Sequence, residues 1–440
     1  MRISIAICLA TMLGLVLMLR RERATLGLPV AYLANLLILH VPGAIAQVLN
    51  RTATTLTPPE YTRTGIILSA TGSVAFVVGI ILSRVGRRAV VPQPAARTLF
   101  WKYCVLAGGI ATTAGYLVAI PSISAVILRG GPIWMLGLML ALRSTLSRGE
   151  RVKAVQWFMV LAIYPILMLL LGGFLSFGSM AVIIVLSGIT ITAKSFLRVV
   201  AWTLVLGVAG SSLFLSYFEH RPEIRAAVWG GGDTDARVNA ALSAITDVKR
   251  FDPHDESQLY ALDQRLNQNY FVGLAASRLN ANEVQYLHGR SVWEGLQAIV
   301  PRALWPEKPV VSGSPKIVSE MTGLTLAEGT SFGVGNVMEF HINFGIPGVI
   351  FGFILLGLII GRLDMRAAEL DAAGRLGDTF IYFLPAVALI QPNGSIVDMM
   401  SAAASAFFAA IAWKWGWTRW PKPVVRPAPA VQANPEALAT

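Results

Sequence analysis

GIILSATGSVAFVVGIILS, residues 65–83, is the stretch that decides the fold. It runs without an ionisable side chain, and Arg63 and Arg84 stand just outside its two ends. A helix of that length rises about 28 Å, close to the roughly 30 Å hydrocarbon thickness of a bilayer. No polar face interrupts it, so its solvent is lipid. The same reading recurs at 3–19, 27–48, 103–121, 132–147, 154–172, 177–193, 199–217, 338–360, 378–393 and 397–414, and the last two are short enough to be partly re-entrant. The composition agrees: 440 residues, 55% hydrophobic, 14% charged, with mean hydropathy +0.62. Soluble domains carry about 25% charged residues, so a water-soluble globular protein is excluded. The run at 3–19 lacks a small-residue cleavage site and is followed by Arg20-Arg21, which makes it a retained helix rather than a leader. Cys8 and Cys104 fall inside apolar runs, so no disulfide framework is expected.

The net charge of +12 is explained by where the charges lie. Arg20, Arg21 and Arg23 follow the first span. Arg84, Arg87, Arg88, Arg97 and Lys102 follow the third, and Arg143, Arg148, Arg151 and Lys153 the fifth. Lys194 and Arg198 follow the seventh, Arg362, Arg366 and Arg375 the ninth, and Lys414, Arg419, Lys422 and Arg426 the last. The opposite short segments hold Arg2, Arg51, Arg63 and Arg129 alone. The positive-inside rule then predicts an all-α polytopic membrane protein of about eleven transmembrane helices, N-terminus outside and C-terminus cytoplasmic. The expected organisation is helices one to eight over 1–217, an extracytoplasmic helical loop over 218–337, helices nine to eleven over 338–414, and a disordered cytoplasmic tail over 415–440. The excess charge is a topology signal, and no nucleic-acid partner is needed to explain it.

The long loop has 11 Lys/Arg and 14 Asp/Glu, the composition of a soluble subdomain. Val238, Ala241, Leu242, Ile245 and Val248 share a helical face that Asp233 or Thr234 could cap. Phe251-Asp252-Pro253 breaks that helix, and Leu259, Leu262, Leu266 and Tyr270 form a second stripe continuing towards Leu279. These helices either pack together or lie on the membrane surface. Gly-rich 229–233 reads as a hinge and Asp233-Thr234-Asp235 as a cap rather than a metal-holding pair. Signatures of ATP hydrolysis and of zinc binding are missing, and no metal or other cofactor is expected.

The chemistry concentrates in the second half of the loop and the helix after it. Tyr286 and His288-Gly289-Arg290 precede an amphipathic stretch, Ser291 to Val300, and PRALWPEKP follows at 301–309. Prolines bracket Trp305, and Arg302 and Lys308 lie on either side of it. Such a rigid piece presents cations to phosphate while the aromatic stacks on sugar. It also reads as an interfacial tryptophan with snorkelling basic side chains. Glu339, His341 and Asn343 then enter the membrane at the outer end of the ninth span, where ionisable groups are expensive and point to function. Glu339 and Asn343 share a helical face and His341 points elsewhere. Glu339 otherwise reads as a helix N-terminal acid, and His341 as an interfacial structural residue. His40, beside Pro42-Gly43, reads as a buried histidine bonding a kinked backbone. Arg129 and Asp398 also sit at the outer face, either paired or completing a polar cleft.

At these residues the chain resembles the Wzy-type family of bacterial O-antigen and exopolysaccharide repeat-unit polymerases. The resemblance is carried by Ile299-Val300-Pro301-Arg302-Ala303-Leu304-Trp305-Pro306-Glu307-Lys308-Pro309, Gly329-Thr330-Ser331, Glu339 and Asn343-Phe344-Gly345. Arg265-Leu266-Asn267-Gln268-Asn269 and His40-Val41-Pro42-Gly43 add to it. It implies a metal-independent glycosyltransferase of a helical architecture similar to lipid-dependent GT-C enzymes, in the bacterial inner membrane. Its substrates would be undecaprenyl-pyrophosphate-linked glycans at the outer face, with a flippase and chain-length regulators as possible protein partners. On that reading Arg302 neutralises the leaving pyrophosphate, with Lys308, Arg290 and Arg129 behind it. Glu339 is the first candidate base, followed by His341 and His288, and Trp305, Tyr286, Asn343 and His288 hold sugar. An O-antigen ligase-like transferase, a lipid-glycan flippase or transporter, and a non-catalytic envelope scaffold are the alternatives. The polar interruptions collect at one membrane face, whereas a transporter would place them near the midplane.

Overall fold

In the computed structural model residues 65–83 form the interior of one helix, Pro59–Arg84. Pro59 has the preset φ of a first turn and lacks a donor that would go unused there. Arg84 lies in the last turn, where a cation meets the negative helix end. The structure describes residues 1–21, 24–49, 57–85, 97–117, 127, 130–173, 175–193, 195–230, 234–248, 250–300, 305, 307–308, 313–326 and 333–420.

Among the described residues there are sixteen helices and no strand. The first eight are α1 (Arg2–Arg21), α2 (Leu28–Leu49), α3 (Pro59–Arg84), α4 (Arg97–Leu117), α5 (Gly130–Ser147), α6 (Arg151–Gly172), α7 (Leu175–Thr192) and α8 (Phe196–Trp229). The loop carries α9 (Thr234–Thr246), α10 (Glu256–Arg265), α11 (Gln268–Asn280), α12 (Arg290–Ala298) and α13 (Ser314–Thr322). The last three are α14 (Asn336–Ala372), α15 (Leu376–Ala388) and α16 (Ile396–Arg419). Six of them, α1, α2, α3, α6, α14 and α16, are long and apolar enough to cross a membrane.

At the centre α3 packs along α14. Lipid gives little hydrophobic drive for helix association, so close backbone approach matters more. A Cβ on Gly79 would overlap the Ile354 carbonyl, and one on Gly357 would overlap the Phe76 carbonyl. Phe76, Phe353 and Ile360 are fully buried in the seam. α2 crosses the same pair, and Tyr32 stacks on Phe76 at 4.6 Å.

Two buried carboxylates fix the ends of this bundle. At one end Asp364 of α14 accepts from Thr25 Oγ1 (2.6 Å), the Leu26 and Leu28 amides (2.9 and 3.2 Å) and Arg84 (3.0 Å). At the other, Asp263 of α10 accepts from Gln47 Nε2 (3.1 Å), the Thr57 amide and hydroxyl (2.8 and 2.9 Å) and Asn267 Nδ2 (2.6 Å). Asn269 continues this network: it donates to the His40 carbonyl (2.6 Å), and its Oδ1 faces His40 Nδ1 (2.8 Å) and Ser69 Oγ (3.3 Å). The two motifs around His40 and Asn267 therefore meet in space.

Three sequence boundaries move. The stripe from Leu259 to Leu279 is two helices, because the Leu266 carbonyl leaves the helical ladder to accept the Gly43 amide (3.1 Å). The helix that carries the stretch 199–217 does not stop at 217. α8 runs on to Trp229 with α9 folded back on it, the Ser216 hydroxyl donating to the Ala244 carbonyl (2.8 Å) and Ile224 packed with Ala241 and Ala244. α16 continues through Arg419 into the expected tail, since Trp413, Trp417 and Trp420 pack around Tyr103. Residues 421–440 and Asp233 lie outside the described residues.

Removing the Asp263 carboxylate leaves buried donors from three segments without an acceptor. Asp263→Ala is expected to lower stability by about 2–4 kcal/mol, read as a shifted denaturant midpoint of the purified protein in detergent. A midpoint equal to wild type would remove Asp263 from its structural role.

Candidate functional site

The candidate site forms where α14 breaks. Phe344 and Gly345 leave helical geometry (φ −141° and +66°) and Pro347 follows. Gly345 occupies the left-handed region, which costs a glycine no Cβ clash, and Pro347 has no N–H to rejoin the ladder. The turns before the break hold Asn336, Glu339, His341 and Asn343, all buried.

Loop residues 286–291 dock on those turns. His288 and Gly289 take positive φ (+47° and +87°) and turn the chain. The Leu287 amide donates to the Ile342 carbonyl (2.8 Å) and the Gly289 amide to Asn343 Oδ1 (3.0 Å). Asn343 Nδ2 donates to Ser291 Oγ (2.8 Å) and to the Glu339 carbonyl (2.7 Å). Asn343 thus works as a clamp between loop and membrane helix, with its amide fully used.

A cleft of about 650 Å³ opens beside the clamp. Tyr286, His288, His341 and Asn343 form one wall, with Thr64 of α3 and Asn280 of α11 across from it. The Tyr286 ring lies 6.3 Å from that of His288 and 6.4 Å from that of His341. His341 Nδ1 is buried and makes no hydrogen bond. The remaining wall is apolar: Ile67, Leu68, Phe344, Ile346 and Pro347. Ile67, Phe344 and Ile346 are all about half exposed, so the cleft has a polar side and an oily opening.

The other sequence candidates lie elsewhere. Glu339 is fully buried, and its Oε2 accepts the Ile396 amide (2.7 Å) at the start of α16; it does not line the cleft. Asp398 closes a capping box with Ser395 on the same helix start. Arg290 is ion-paired with Glu320 (3.0 Å) on the surface. Lys308 Nζ donates to the Ala298 and Val300 carbonyls (3.2 and 3.0 Å), where a cation suits the end of α12. Trp305 is half-buried. Arg302 and Arg129 lie outside the described residues.

Sequence reasoning missed Thr64 and Asn280, which have no signal of their own until α3 and α11 are seen to face α14. It also missed a basic cluster at the root of the loop. Arg265 stacks over Phe218 (4.8 Å), and burial together with the charges of Arg221 and Arg225 lowers its pKa. The i, i+4 spacing of Tyr217, Arg221 and Arg225 carries that signal once α8 is known to pass residue 217.

The family described as "Domain of unknown function (DUF8712)" matches residues 36–387, and the chain belongs to it. That span takes in the greater part of α2, the helices that follow it and nearly all of α15, and with them every residue of the cleft. No curated protein and no solved structure matches the chain.

Asn343→Leu keeps the volume but removes the clamp. Amide exchange over residues 287–291 should rise about ten-fold, equivalent to about 1.4 kcal/mol, roughly one net hydrogen bond. Unchanged exchange there would show that the loop is held by other contacts.

Proposed function

We propose that the chain is a membrane glycosyltransferase that polymerises undecaprenyl-pyrophosphate-linked repeat units into O-antigen or exopolysaccharide. The proposal includes the eleven-span, GT-C-like arrangement, the bacterial inner membrane, a periplasmic N-terminus and a cytoplasmic C-terminus. One observation supports it above the rest: the cleft pairs a wall of imidazole, phenol and amide groups with an apolar opening between α3 and α14. A lipid-linked glycan has the same two-part chemistry, sugar for the polar wall and polyprenyl chain for the oily side. Such a donor is already activated, so nucleotide and metal have no required part.

In the reaction the acceptor hydroxyl attacks the anomeric carbon, the bond to the lipid pyrophosphate breaks, and a base takes the hydroxyl proton. His341 faces the cleft, and this favours it as the base. Glu339 would support it by fixing the start of α16, since one of its carboxylate oxygens, Oε2, accepts the Ile396 amide, while the other, Oε1, is buried without a hydrogen-bond partner. Tyr286, His288 and Asn343 line the sugar side, with Trp305 nearby in sequence. Arg302 remains the proposed neutralising group for the leaving pyrophosphate, assisted by Lys308, Arg290 and Arg129. A flippase and chain-length regulators are the proposed protein partners.

Deletion of the gene should abolish long glycan chains while single-repeat glycolipid remains. Loss of all surface glycan with lipid-linked polymer accumulating would indicate a ligase instead, and build-up of repeat units on the cytoplasmic side a flippase. In inserted protein, Arg302→Ala should abolish polymerisation; wild-type chain lengths would remove the pyrophosphate role.

The base assignment has its own test. His341→Gln should slow turnover by about 10²–10⁴-fold without weakening binding of lipid-linked glycan. Glu339→Gln, which keeps an acceptor for Ile396, should retain most of the turnover. The reverse pattern would transfer the base role to Glu339.

A further inference from the structure

We propose that α12 is an in-plane interfacial helix, seated in lipid at the membrane surface on the loop side of the protein. Its nine residues present three separate faces. Ser291, Gly295 and Ala298 are small and buried, and they let α12 lie directly on the start of α16. A Cβ on Gly295 would come within 2.7 Å of Ile396 Cγ2. Arg290, Glu294 and Gln297 form a polar face. Trp293 and Leu296 form the third, 62% and 49% exposed, and Val300 extends it by a turn. At about 100° per residue the polar face stands roughly 100° from each of the other two, and the apolar face lies roughly 160° from the buried one, so the helix can rest on the protein with its far side towards lipid and its polar edge towards water.

The occupant of the apolar face follows from its surroundings. The Phe344 ring abuts Gly289, immediately before α12. From Phe344 the exposed apolar surface continues down α14 through Phe351 and Leu355, on a helix long and apolar enough to cross a membrane. The face of α12 is therefore the upper margin of a lipid-facing surface, and a tryptophan at that margin fits the headgroup boundary. Lys308 is hydrogen-bonded to the Ala298 and Val300 carbonyls, which ties this cation to the end of α12. The placement of α12 does not depend on the transferase reading.

The test uses full-length protein in vesicles of phosphatidylethanolamine and phosphatidylglycerol, with no glycan present. Nitroxide labels at Trp293→Cys, Leu296→Cys, Glu294→Cys and Gln297→Cys are compared by collision with oxygen and with a water-soluble nickel chelate. Cys8 and Cys104 are buried, so the introduced thiols take the label. Positions 293 and 296 should be oxygen-rich and nickel-poor, about 5–10 Å below the headgroup surface, and 294 and 297 nickel-accessible. Nickel access at 293 and 296 equal to that at 294 and 297 would overturn the proposal. Protection of 293 and 296 from both reagents would also overturn it, showing a second copy or another protein on this face. Brominated lipid should quench wild-type fluorescence more than that of Trp293→Phe, a check that needs no label; equal quenching counts against the proposal.

Discussion

The Asp263 carboxylate is the interaction on which the rest of the architecture depends. A buried charge is tolerated only with a full set of partners, and Asp263 draws its donors from α2, from the segment before α3, and from its own loop. That requirement fixes where the loop can sit. With Asp263 seated, Asn267 and Asn269 fall against Thr62 and His40, and α11 is laid along α3. The chain leaving α11 then reaches the first turns of α14 within a few residues. The cleft is a consequence: its walls are α3, α11, the 286–291 turn and the broken α14, all held in register by a network that does not touch it.

At the opposite end Asp364 does the same work for the membrane helices, joining α14 to the start of α2 and the end of α3. α3 and α14 are thus pinned at both ends while their glycines set the spacing between. Several basic residues that signal topology also serve here as helix caps. Arg20 donates to the Thr190 and Ala193 carbonyls at the end of α7, and Arg143 donates to the Gly188 carbonyl. Their charge suits helix C-termini, so the residues that carry the sequence's charge pattern also hold helix ends together.

Much of this was legible in the sequence. The larger part of each apolar stretch falls in a helix among the described residues, because an apolar run without a polar face leaves the backbone no other way to bond, and six of those helices are long and apolar enough to cross a membrane. The amphipathic stretch before Pro301 is α12, and the motifs around His40 and Asn269 were noticed separately. Their contact was not legible, since no local pattern records a hydrogen bond across 229 residues. The break at Leu266 was hidden for the same reason: the amide that captures its carbonyl belongs to Gly43. Glu339 shows the same limit. Its burial follows from its position, but the partner that takes its carboxylate is a backbone amide, which every residue except proline offers and no motif marks.

The break in α14 explains why the cleft has two kinds of wall. Before it, the helix is clamped by the loop and turns His341 and Asn343 towards the polar side. At it, Phe344 and Ile346 swing out and stay exposed on the oily side. With the departure from helical geometry at Phe344 and Gly345, the buried His341 imidazole and the exposed Phe344 ring line one opening. The change from one kind of wall to the other falls on two residues of backbone, and Gly345 is the one whose left-handed φ other side chains rarely adopt.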